Sequence, residues 1–141
     1  MAIKNLVAVL LYCSTLTAAG ATDLTVTVNG VQNDRGYIIS TVFNSETSFL
    51  KRPEAFASLR IKASQGDVGY SLKNLPPGKY AVSAFHDVNG DGKLDTDPSG
   101  QPTEVYGFSN DARGTSGPPE FADAAVELGD QTKTISIKLD Y

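Results

Sequence analysis

The chain has 141 residues, 12 Lys and Arg against 16 Asp and Glu, and a formal net charge of −4. That length suits a single domain, and an acidic balance without a basic run argues against nucleic acid or an anionic membrane surface as partner, since clustered Lys and Arg hold both. With one Cys and one His in the whole chain, neither an internal disulfide nor a multi-Cys or multi-His metal centre is available.

Residues 1–21 read as a cleavable signal peptide. Lys4 supplies the positive charge, Leu6 to Cys13 the apolar stretch, and Ala19-Gly20-Ala21 the small-x-small pattern that signal peptidase reads. Thr17-Ala18-Ala19 offers a neighbouring cut, and an apolar first strand or buried helix is the plainer alternative. The stretch is too short for a permanent bilayer anchor. Tyr12 stands where a lipoprotein box needs Gly or Ala, which disfavours lipid attachment at Cys13. Cleavage sends residues 22–141 to the periplasm or outside the cell with no integral membrane segment. All 16 acidic residues stay in that part, and Cys13 leaves it. Stability then rests on the core, and on any bound ion.

Strand signals dominate the rest. Leu24 to Val28 alternates apolar and polar residues, and Tyr37 to Phe43 is richer, as in a strand buried on both faces. Ser45 to Ala57 holds at most a helical turn or two, with Pro53 at its start. Ser58 to Ala63, Val68 to Leu75, Tyr80 to Phe85 and Thr132 to Leu139 complete the alternating set. Residues 98–120 carry eight Gly and Pro, which predicts a long loop. Tyr106, Phe108 and Phe121 predict that it is ordered and packed on the sheets. The pattern predicts an all-β, single-domain antiparallel β-sandwich of seven to eight strands.

The sharpest motif is Asp87-Val88-Asn89-Gly90-Asp91-Gly92-Lys93-Leu94-Asp95. It fits the first nine positions of the D-x-N-x-D-G calcium loop. Calcium takes six to eight oxygens. Asp87, Asn89 and Asp91 bring side-chain oxygens at alternate positions, Lys93 brings its carbonyl, and Asp95 binds directly or through water. Gly92 permits the sharp turn after the third ligand. Position twelve departs from the pattern, with Pro98 where a bidentate Glu belongs. Asp97 falls one residue early, and Glu104 lies within reach only if the chain folds back. A strand precedes the loop instead of a helix, so the expected cage is incomplete and its calcium affinity weak, of order 10⁻⁴ to 10⁻³ M. The plain alternative is a turn built from Asn, Asp and Gly with no ion.

Two resemblances add to this reading. Leu75-Pro76-Pro77-Gly78-Lys79-Tyr80-Ala81-Val82 resembles the turn-into-strand signature of prealbumin-like and carboxypeptidase-regulatory-like sandwiches, which implies a prealbumin-like fold. A wider set occurs in order: His86-Asp87 with the acidic loop, Tyr106-Gly107-Phe108-Ser109-Asn110, Arg113, and Gly117-Pro118-Pro119-Glu120-Phe121-Ala122-Asp123-Ala124-Ala125. It resembles the exported bacterial family known as domain of unknown function 2141. That resemblance implies a compartment and a fold and supplies no reaction.

One enzyme reading rests on His86 as general base beside the loop, and another on an acid pair for glycoside hydrolysis drawn from Asp87, Glu104 and Glu120. The mature chain has no thiol, and Gly107 to Asp111 lacks the closing Gly of a nucleophile elbow. Arg113 and Asp123 suggest an ion pair ordering the long loop, or a clamp for a ligand carboxylate. Tyr106 and Phe108 suggest packing beneath that loop, or a surface for sugar or peptide. The leading expectation is an exported non-catalytic binding or structural module, with calcium in residues 87–95 and a protein, peptide or glycan partner. The runner-up is a small periplasmic hydrolase using His86.

Overall fold

A computed structural model describes residues 20–141. Residues 1–19, and with them most of the expected leader, lie outside the described residues. Eight strands form two sheets. The strands are β1 (Thr22–Val31), β2 (Tyr37–Phe43), β3 (Ala57–Lys62), β4 (Gly66–Leu75), β5 (Gly78–Asp87), β6 (Tyr106–Phe108), β7 (Val126–Leu128) and β8 (Lys133–Lys138). One sheet runs β4-β1-β8 and the other β3-β2-β5-β6, with β7 pairing the start of β5. The all-β sandwich follows from the alternation that the sequence carries.

β1 shows how the layers form. Leu24, Val26 and Val28 are fully buried, and Thr25 and Thr27 between them are half-buried. A period of two puts each set on its own face. The buried set meets Ile38 and Val42 of β2, Val82 and Ala84 of β5 and Ile137 of β8 in the main core. Ser40 also faces inward and shares a hydrogen bond with the Tyr70 hydroxyl across the two sheets. Burial pushes the Tyr70 phenol up to about 12, against the lowering effect of Ser40.

β2 and β5 are covered on both sides, as expected for β2. Their outer face carries a second cluster of Ala81, Phe108 and Ala124, roofed by Phe49 and Phe121. The Phe49 ring meets those of Phe43 and Phe121 edge-on at 5.4 and 5.8 Å. A 3-10 turn at Arg52–Glu54, a second at Ser109–Asp111 and one helical turn, α1 (Phe121–Ala124), are the short helical pieces among the described residues. The sequence signal anticipated the first and missed the other two.

Three features depart from the sequence expectation, the first being the short strand β7, which none of the expected strand segments covers. β8 runs parallel to β1, while the other pairings are antiparallel. Parallel neighbours need a long crossover, and the chain between them supplies one. The expected loop of residues 98–120 also contains β6, which pairs Ser83 to Phe85 of β5. Its three residues are too few to show a period.

Candidate functional site

β5 delivers the acidic loop. Its residues alternate faces, so His86 points with Val82 and Ala84 toward the core and Asp87 points outward. In register, His86 stands opposite Ile38 and Asp87 opposite Tyr37. Asp87 is nevertheless fully buried, because the loop closes over it. Its carboxylate accepts N–H bonds from Asp91 (3.2 Å) and Gly92 (2.8 Å). Gly92 makes the bend with φ 79°, in the left-handed region that L side chains avoid.

The remaining expected residues line up along the same turn. Asn89 accepts from the Asp91 N–H at 3.3 Å and donates its amide to Asp95 at 2.5 Å. Asp91 accepts from the Lys93 N–H at 2.9 Å. Asn89, Asp91 and Lys93 are exposed and Asp95 is half-buried. From outside, Arg52 donates to the Gly92 carbonyl (2.5 Å) and Arg60 to that of Gly90 (3.3 Å). The Arg60 guanidinium rests 3.8 Å from the centre of the Tyr37 ring.

Glu104 folds back against the two ends of the loop. It is buried, and its two oxygens accept the N–H groups of Val88 and Asp95, both at 3.1 Å. The loop is thereby pinned at both ends by one side chain. Asp97 caps its own turn, accepting from the N–H of Ser99 (2.9 Å) and of Gln101 (3.0 Å).

The electrostatics of Asp91, Asp95 and Glu104 are unequal. The Lys93 N–H holds Asp91 below the usual carboxylate range. Desolvation pushes Asp95 above it, and the hydrogen bond and charge of Asp91 add to that rise. Burial likewise raises Glu104, against the two N–H bonds it accepts, with Asp95 and Asp87 adding repulsion. Neither ion pair found among the described residues, Lys73–Asp23 or Arg113–Asp140, touches these acids. Among the described residues, no three acid or histidine side chains gather tightly enough to hold an ion as they stand. Asp87 and Glu104 are turned to backbone N–H groups, and Asp95 to Asn89. The donor set is still the hard, oxygen-rich one that calcium takes, and Asp91 within it is exposed to solvent.

The candidate enzyme residues are not brought together. His86 is fully buried, and its Nε2 donates to the Arg35 carbonyl at 2.7 Å. Its Nδ1 is buried without a partner. Glu120 is exposed and lies in a separate surface hollow with Arg113 and Asp123. Arg113 pairs with Asp140, near the C-terminus, and donates to the Tyr106 carbonyl at 3.1 Å. Asp123 instead offers its backbone carbonyl to Asn110 at 3.2 Å. Sequence spacing could not choose between Asp123 and Asp140. No helix among the described residues is long and apolar enough to cross a membrane.

The chain matches, over residues 26–136, the model of a family described as an uncharacterized protein conserved in bacteria (DUF2141), and it belongs to that family. The matched stretch holds the acidic loop, Glu104 and β6 alike. No curated protein and no solved structure matches the chain.

Proposed function

We propose that this member of the DUF2141 family is an exported, non-catalytic binding or structural module whose loop takes one calcium ion. Its side-chain ligands are Asp87, Asn89, Asp91 and Asp95, with the Lys93 carbonyl, and Glu104 closes the set. The observation that carries the reading is the buried Asp87 carboxylate, which shares its loop with Asp91, Asp95 and Glu104 and, among the described residues, has no cationic side chain paired to it. Like charges at close quarters raise one another, and a divalent cation removes that cost. Calcium fits because every donor is oxygen and calcium tolerates irregular coordination geometry.

Export is supported by the charge, apolar run and small-residue site of residues 1–21. A prealbumin-like sandwich is supported by the Pro76-Pro77-Gly78 turn, where the Tyr80 hydroxyl donates to the Pro76 carbonyl at 2.6 Å. The hydrolase reading is weaker. A general base needs a ring nitrogen at a substrate, whereas His86 spends one on Arg35 and buries the other, with Asp87 on the opposite face.

Calcium titration by calorimetry tests the proposal, beside melting curves of the wild type and of Asp87→Ala combined with Asp91→Ala. Saturable heat and a raised melting temperature are expected in the wild type and are absent from the double variant. No heat and no shift at several millimolar calcium would reduce the loop to a turn.

A further inference from the structure

The outer face of the five-stranded sheet is only partly roofed. Beyond the Phe49 cluster it opens into a hollow floored by Ser83 and Phe85 of β5 and by Tyr106. This hollow runs on into a groove of about 820 Å³ between Leu50, the end of the acidic loop and the Gly114–Pro118 segment. That volume lies inside the ~300–1,000 Å³ of small-ligand sites.

The lining has a specific chemistry. Among the described residues, no Asp, Glu, Lys, Arg or His side chain borders the groove, in a chain with 20% charged residues. Its walls carry the uncharged hydrogen-bonding side chains of Thr96, Gln101, Thr115 and Ser116, all exposed. The floor is aromatic. The Arg113 guanidinium sits 4.7 Å from the centre of the Tyr106 ring and the Phe108 ring meets it in a T-shaped contact at 6.1 Å, while Tyr106 itself borders the groove and Arg113 does not. At the rim, Leu50 is 40% exposed and held at φ 64°. A non-glycine residue in the left-handed region costs energy and is kept where the surroundings or a function demand it.

We propose that this groove binds a neutral oligosaccharide, with a sugar ring stacked on Tyr106 and its hydroxyls met by Gln101, Thr96, Thr115 and Ser116. A sugar presents an apolar C–H face and a rim of uncharged hydroxyls, which matches an aromatic floor inside neutral polar walls. The charged side chains nearby stand outside these walls, Arg52 in the adjoining hollow and Arg113, Glu120 and Asp123 in the hollow that shares the Gly114–Pro118 segment. An apolar peptide can offer these four side chains only its backbone amides, whereas a sugar brings a hydroxyl at nearly every carbon. The inference names the partner of the binding module and stands whether or not calcium fills the loop.

The test is nitrogen-15 NMR of the purified chain, titrated with cellotriose, maltotriose and the N-acetylglucosamine trimer up to about 10 mM, enough to reveal millimolar affinity. At least one trisaccharide is expected to give saturable shifts confined to the groove. Tyr106→Ala should weaken it about tenfold, the scale of one aromatic contact. Ser116→Lys, on an exposed wall outside the packing, should also weaken binding while leaving the melting temperature unchanged. Repeating the titration in EDTA separates the two proposals, because retained binding upholds the groove even where calcium fails to bind. No groove shifts with any of the three sugars, shifts that survive both variants, or shifts produced only by an apolar tripeptide would overturn the inference.

Discussion

Asp87→Ala is the perturbation that best separates a capped turn from an ion site. The wild-type carboxylate accepts the Gly92 N–H at 2.8 Å and the Asp91 N–H at 3.2 Å. Hydrogen bonds to a charged group contribute about 1.5–3 kcal/mol each. The Asp91 N–H has Asn89 as a second acceptor at 3.3 Å, so its loss belongs at the low end. Truncation also relieves repulsion on Asp95 and Glu104, which offsets part of the loss. The net expectation without calcium is a destabilisation of about 1–3 kcal/mol. Calcium adds a term to the wild type alone. At a hundredfold excess over Kd that term is about 2.7 kcal/mol, so the gap between wild type and variant widens to roughly 4–6 kcal/mol. Melting curves in EDTA and in calcium read both numbers, at about 3–6 °C per kcal/mol for a domain of this size. Equal melting of wild type and variant in EDTA refutes the capping role of Asp87. A gap of the same size in EDTA and in calcium refutes the ion site and leaves the capping role intact.

Three further outcomes follow from the same structure. Asp95 and Glu104 are raised in the fold, so their contribution is fully present below their unfolded values and is lost as pH rises through the folded ones. Asp23, Asp91 and Asp97 are lowered, by Lys73, by the Lys93 N–H and by Ser99 respectively. Their contribution is present above the ordinary carboxylate value and is lost as pH falls through the depressed ones. Calcium-free stability should therefore peak in weak acid and decline toward neutrality, and a melting series in which calcium leaves that decline untouched would contradict the loop's role. Tyr70→Phe leaves Ser40 with only the Ser83 carbonyl at 3.3 Å and should cost about 1–2 kcal/mol by urea unfolding. Gly36→Ala places a Cβ within 2.0 Å of the Asp87 carbonyl at φ 68°, and should lower the melting temperature by more than Tyr70→Phe does.

Much of this architecture is legible in the chain. The longer strands announce themselves because alternation over six or more residues has one physical cause, a face that water does not reach. The turn chemistry of Asp87 to Asp95 is legible for the same local reason. What stays hidden is non-local. β6 exists because Gly107 lets the backbone pass the Lys138 carbonyl, where a Cβ would come within 2.3 Å. The parallel pairing of β1 with β8 leaves no mark on either strand's pattern. Glu104 was one of several acids downstream of the loop, and nothing in its spacing selects it over Asp97. The fold selects it by bringing the approach to β6 alongside the end of β5, where His86 N–H meets the Val105 carbonyl at 3.0 Å.

The two proposed sites share one cause, the register of β5. Val82 and Ala84 fill the main core, so Ser83, Phe85 and Asp87 must face outward. A slip by one residue exchanges the faces. It drives Asp87 into the apolar core and lifts Val82 and Ala84 out of it, and burying an unpaired carboxylate costs several kcal/mol or more. The pairing with β2 is thus held against slippage by apolar burial and by charge together. Leu94 then ties the loop to the groove, since it borders the groove between Lys93 and Asp95, and Glu104 holds the Asp95 N–H just beyond it. An ion that tightens the loop also stiffens one wall of the groove. Calcium should consequently raise trisaccharide affinity and never lower it, and a titration showing the reverse would mean that the loop and the groove are coupled through some element other than Leu94.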